Sequence, residues 1–113
     1  MNLQIDPALD MDPQTINRAG GTQTVRVTYA IGAKTPTQAC DRILVNGVEQ
    51  SEKECFSVTN TPIFPHPETR HVTVTPKAGV DFIPIEVLAH EVNDSNPTVD
   101  AREVSASGVV SIL

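Results

Sequence analysis

A chain of 113 residues is the size of one domain, large enough to bury about two-thirds of the surface its unfolded form exposes. Its 14 acidic and 8 basic residues leave a net charge of -6, and the basic residues are scattered singly; this excludes nucleic acid or an anionic membrane as the main partner, since both need clustered Lys and Arg. With aromatics at 4% and no Trp, the core has to be built from Val and Ile, which favour strands.

No segment reaches the apolar length of a membrane span, and the opening MNLQIDPALDMDP has neither the basic start nor the apolar run of a secretory signal. The expectation is a single soluble domain over 1–113, with 1–13 as an extended N-terminal arm. Leu3 and Ile5 alternate with polar neighbours in a short strand ended by Asp6-Pro7. ALDMDPQT carries too many turn formers for regular structure, and Gly20-Gly21 is a second break. TQTVRVTYAI is the cleanest strand signal, with Val25, Val27, Tyr29 and Ile31 on one face.

Gly32 to Gln38 reads as a loop. Arg42 to Val45, Asn46-Gly47 and Val48 to Gln50 then form the strongest hairpin signal, because a type I′ turn needs positive φ at both central residues. SEKE reads as a charged loop, Phe56 to Thr59 as a strand, NTPIFPHP as its end, and Arg70 to Thr75 as a strand with Val72 and Val74 inward. In FIPIEVLAHEV, Ile83, Ile85, Val87 and Ala89 alternate with Phe82, Pro84, Glu86, Leu88 and His90, which predicts one fully buried and one partly buried face. Pro84 lacks a ladder donor and puts that end at an edge or a bulge. A turn at Asn93 to Pro97, a strand over Thr98 to Val104, a small-residue turn at Ser105 to Gly108 and a last strand from Val109 to Leu113 complete the reading. No helix of convincing length is predicted. Short strands with turns every eight to twelve residues make an all-β chain, an immunoglobulin-like antiparallel sandwich of about 7–9 strands.

Cys40 and Cys55 are the only cysteines. Bridged, they close a loop of about 15 residues, worth roughly 3 kcal/mol in the chain-entropy model. A plain two-residue turn at Asn46-Gly47 places Cys40 opposite Lys53, so a bridge requires a bulge or a longer loop; the alternative is a pair of thiols in a reduced compartment.

Glu91-Val92-Asn93-Asp94-Ser95-Asn96-Pro97 resembles the calcium-binding linker motif of cadherin domains. That resemblance implies Glu91, Asn93 and Asp94 as calcium ligands, with Ser95 standing where the motif has Asn; it covers seven residues, and the family's other acidic motifs are not evident. Independently, Asp6, Asp10 and Asp12 near the start and Glu91, Asp94 and Asp100 near the end would supply calcium oxygens if they converged at one end of the sandwich. The metal candidates are Glu91, Asn93, Asp94 and Asp100; no other cofactor is expected. His66, His71 and His90 with the two cysteines lack zinc-ligand spacing.

The chain has no G-x-S-x-G elbow, no papain-like Cys context and no P-loop, so no enzyme is expected and no catalytic residue is assigned. Its single Tyr makes a sugar-binding platform a poor fit. Ile63 and Phe64, held between prolines, form a stiff loop suited to contact, unless they plug their own sandwich. Leu3 and Ile5 at one end, and Val109 and Ile112 at the other, lie on apolar strands able to add to a neighbour's sheet edge, unless they pair within the domain. A start at Met1 without a secretory signal fits a non-catalytic small subunit of a larger assembly, such as a phage capsid decoration or tail protein. Its partners would be other protein subunits, further copies of itself among them, in a virion or other extracellular assembly. The alternative is a calcium-binding, immunoglobulin-like or cadherin-like adhesion module at a cell surface.

Overall fold

Period-two alternation of β-branched residues with polar ones yields strands along nearly the whole chain. The structure, a computed structural model, describes residues 2–59, 66–92 and 103–113, the side chains of 51–53 excepted. Its strands are β1 (Leu3–Ile5), β2 (Asp10–Asp12), β3 (Thr15–Ile16), β4 (Gln23–Ala33), β5 (Thr37–Val45), β6 (Val48–Val58), β7 (His66–Val74), β8 (Phe82–Glu91) and β9 (Val104–Ile112). The helical content among the described residues is one short 3-10 turn, Arg18–Gly20, capped by the Asn17 side chain. Two sheets pack face to face. In one, β4 is flanked by β7 on one side and by β1 and β2 on the other; the second runs β3-β9-β8-β5-β6, with β8 at its centre. The immunoglobulin-like sandwich expected from strand spacing is therefore the fold.

Val25, Val27, Tyr29 and Ile31 of β4 face Ala39, Ile43 and Val45 of β5, Ile83, Ile85, Val87 and Ala89 of β8, and Val110 of β9 across a common core. Asn46 and Gly47 both adopt positive φ, 52° and 81°, and close the β5–β6 hairpin. SEKE is not a loop. β6 runs through it, and the register slips: Ile43 faces Gln50, but Asp41 faces Glu54, so 51–53 stand opposite Arg42 alone. The surplus of two residues puts Cys55 opposite Cys40. Charged residues persist there because β6 is an edge strand with one side of its backbone unpaired.

The 8–15 stretch and the terminal segments also depart from expectation. Residues 2–13 are not an extended arm but part of the sandwich: β1 and β2 hydrogen-bond to β4, and β3, just beyond them, runs parallel to β9. Buried Met11 and Ile16 hold this turn-rich segment down as it crosses from one sheet to the other. Ser105 to Gly108 is not a turn but the middle of β9. Ala106 sits in the core, and a Cβ on Gly108 would lie 2.8 Å from the Met11 terminal methyl, so small residues there make room for β2. Nor is β8 at an edge. The Pro84 carbonyl accepts from the Asn46 N–H at 2.8 Å, and the β5 ladder ends at Ile85; the missing donor falls beyond that ladder, where the hairpin turns. β7 begins earlier than expected, at His66, with Pro67 on an edge strand. The expected turn at Asn93 to Pro97 and most of the strand over Thr98 to Val104 lie outside the described residues.

Candidate functional site

Among the described residues, two charged side chains are buried between the sheets, and both were overlooked in the sequence. Asp41 of β5 accepts from the Tyr29 hydroxyl of β4 and from the Arg70 guanidinium of β7; Arg70 also approaches Glu54 of β6 at 3.5 Å, and the Glu54 N–H points at Asp41 Oδ1 at 3.4 Å. No buried side-chain nitrogen or oxygen lacks a partner among the described residues. The Asp41 carboxylate is fully occupied by these donors, so the cluster acts as a polar pin joining four strands rather than as a base facing solvent. Parity carries a signal of their burial, though none of their pairing: Asp41 lies in phase with Ala39 and Ile43, and Arg70 with Val72 and Val74.

Burial pushes the Tyr29 hydroxyl well above its ordinary value near 10, helped by its hydrogen bond to Asp41, the Asp41 charge and Glu68, with Arg70 opposing. A raised folded value means stability is whole below pH 10 and falls above it, by about 1.4 kcal/mol per pH unit while the unfolded chain ionises and the folded one does not. As the chain has one Tyr, phenolate absorbance is expected to rise only with unfolding in alkali, and Tyr29→Phe should flatten the alkaline fall in stability. Phenolate appearing before loss of β-sheet circular dichroism would refute this.

The outward side of the five-stranded sheet is different in character. Along β8 it carries Phe82, Pro84, Glu86, Leu88 and His90; Val109 sits opposite Pro84 on β9, and Leu44 opposite Glu86 on β5. Phe82 is 60% exposed and Val109 50%, with Pro84 exposed between them and Leu44 and Leu88 half-buried. At the other end of this face Arg42 makes a two-point ion pair with Glu103 (2.9 and 3.2 Å), and His90 lies 3.9 Å from the same carboxylate. Cys40 and Cys55 are joined as a disulfide on this outward side, Cys40 buried and Cys55 exposed.

Of the contact residues predicted from sequence, Leu3 (1% exposed) and Ile112 (6%) are core residues, and Ile5 packs against the core. Their strands pair within the domain, with β4 and with β8. Among the described residues of that group, Val109 is open, 50% exposed. Ile63 and Phe64 lie outside the described residues, as do Asn93, Asp94 and Asp100 of the metal candidates. Glu91 accepts from Asn2 Nδ2 at 2.7 Å, and Asn2 Oδ1 holds the Thr35 N–H at 2.8 Å.

The acidic residues at the start do not join Glu91. Asp6 caps the Ala8 N–H, Asp12 pairs with Arg26 at 3.1 Å, and Asp10 stands opposite Thr28. Thr28 is five residues along β4 from the Ala33 end, roughly 17 Å at strand rise. No group of three metal-ligating side chains forms among the described residues. The histidines are likewise apart: His66 stacks on Phe56 with ring centres 5.3 Å apart and meets Glu68 at 2.9 Å, while His90 lies in the other sheet.

No protein-family model matches the chain, and no curated protein matches it in sequence. Among solved structures it is similar to the CARDB domain of a Pyrococcus furiosus protein, crystallised in complex with di-metal ions, with a TM-score of 0.59 and 13% identity over 98% of this chain and 92% of that one. At that identity the likeness is one of fold, and the two chains share an immunoglobulin-like β-sandwich.

Proposed function

We propose that this chain is a non-catalytic interaction module that docks onto a larger protein assembly through the outward side of its five-stranded sheet. The observation that carries this reading is the cluster of Phe82, Pro84 and Val109 left open on a face whose ladder is otherwise complete; exposed apolar groups gathered on one face mark contact sites. The disulfide supports a setting outside the reducing cytosol, where virion and cell-surface proteins both reside. A virion component, a capsid decoration or tail protein, is one form of this function. An adhesion module at a cell surface, in which the acidic candidates would hold calcium, is the second.

The double variant Phe82→Ser/Val109→Ser is expected to abolish incorporation into the native assembly, measured by co-sedimentation, while stability moves by no more than about 1 kcal/mol, about 0.5 for each substitution, because each side chain is at least half in water. Retained incorporation with a lowered melting midpoint would show that the two residues serve packing instead. Calcium separates the two forms. For a virion component, millimolar calcium leaves the melting curve in place; a midpoint that rises with calcium and returns with chelator supports the adhesion form, with Glu91, Asn93, Asp94 and Asp100 as ligands.

A further inference from the structure

The apolar cluster is set among unbalanced acidic groups. Glu86 lies in the middle of the outward face between Leu44 and Ser107, and Glu49 stands next to Leu44 on the β6 side, both at register positions that share this face. Neither makes an ion pair among the described residues, whereas Arg42, the described arginine on this face, is taken up by Glu103. Elsewhere Arg18 pairs with Asp81, Arg26 with Asp12 and Arg70 with Asp41, so each described arginine is already matched to a carboxylate in a chain of net charge -6.

From this arrangement we propose that the outward face receives a protein segment whose apolar side chains are flanked by Lys or Arg, and not a second copy of this chain. The proposal rests on the docking role assigned to the same face. Phe82, Pro84 and Val109 offer the apolar floor, and Leu44 and Leu88 extend it. Glu86 and Glu49, with no ion-pair partner among the described residues, attract and orient the partner's basic groups. A second copy fits badly for the same reason. A two-fold interface centred on this face sets Glu86 near its own symmetry mate, and like charges brought together at an interface cost several kcal/mol.

The test pans a random peptide library displayed on a neutral scaffold against the wild-type domain, and the winners are then measured against Phe82→Ser/Val109→Ser. The expected winners carry aromatic or aliphatic residues flanked by Lys or Arg. They should lose about tenfold or more in affinity on Glu49→Lys/Glu86→Lys, and their affinity should fall steeply with salt. Winners that depend on Phe82 and Val109 but show no basic bias and ignore the charge reversal overturn this inference while leaving the docking role intact. Binders that tolerate Phe82→Ser/Val109→Ser overturn the docking role itself. Sedimentation of the wild type is expected to show monomer across the micromolar range; a dimer dispersed by Phe82→Ser would make the occupant a second copy and overturn the inference by a separate route.

Discussion

Replacing Arg70 by Leu is expected to lower unfolding free energy by about 3–5 kcal/mol, enough to leave a domain of ordinary stability marginal. The cost comes less from the lost attraction than from what remains: Asp41, sealed between the sheets, keeps its hydrogen bond from Tyr29 but loses the cation that makes its charge tolerable. Removing the acid instead leaves Arg70 with Glu54, whose side chain is 59% exposed and in contact with water that shares the load. Arg70→Leu should therefore be the worse single change, with Asp41→Asn milder. The double variant Asp41→Leu/Arg70→Leu is expected to recover much of the loss, because a buried pair exchanged for apolar groups of similar volume is often neutral. Urea midpoints at constant slope measure all three. A cost below about 1 kcal/mol for Arg70→Leu would mean that water reaches Asp41 and that the pin is not sealed.

The same cluster shows where reading the sequence stops. The alternations in β4, β7 and β8 are legible because every second residue meets one uniform environment, and Asn46-Gly47 is legible because few other pairs accept positive φ twice. Asp41 and Arg70 break the hydrophobic pattern at core positions, and a pattern count scores them as surface. Only knowing that β5 lies across from β7 and Tyr29 shows that each satisfies the other. β2 and β3, three and two residues long, are too short to carry a period at all; the neighbouring sheets, not their own propensity, make them strands. Ser105 to Gly108 reads as a turn because small residues usually punctuate, yet here the space they leave is filled by Met11 from a distant part of the chain. Of the contact face, the outward residues of β8 were in view as a half-buried set. What sequence leaves open is whether a further layer covers them, and none of the described elements does so over Phe82 and Val109.

Removing the Cys40–Cys55 bridge is expected to cost about 3 kcal/mol, from the restored freedom of a loop with a sequence separation of 15. The loss should fall unevenly. Between the Asn46-Gly47 turn and Cys55 the ladder is interrupted by the bulge at Arg42, so the far half of β6 is held by its own short run of pairs, by the disulfide and by burial of Val58. A hairpin without the bulge would set Phe56 opposite Thr37 and carry Val58 beyond the start of β5, losing that burial while keeping every residue on its present face. Side-chain parity therefore does not forbid the slip. The disulfide does, since it ties Cys55 to Cys40 and to no other register. In Cys40→Ala/Cys55→Ala, amide exchange in residues 54–58 is expected to speed up more than exchange in β8, alongside the drop in urea midpoint. Equal protection in both strands, or reduced protein as stable as oxidised, would show that apolar burial at Phe56 and Val58 sets the register unaided.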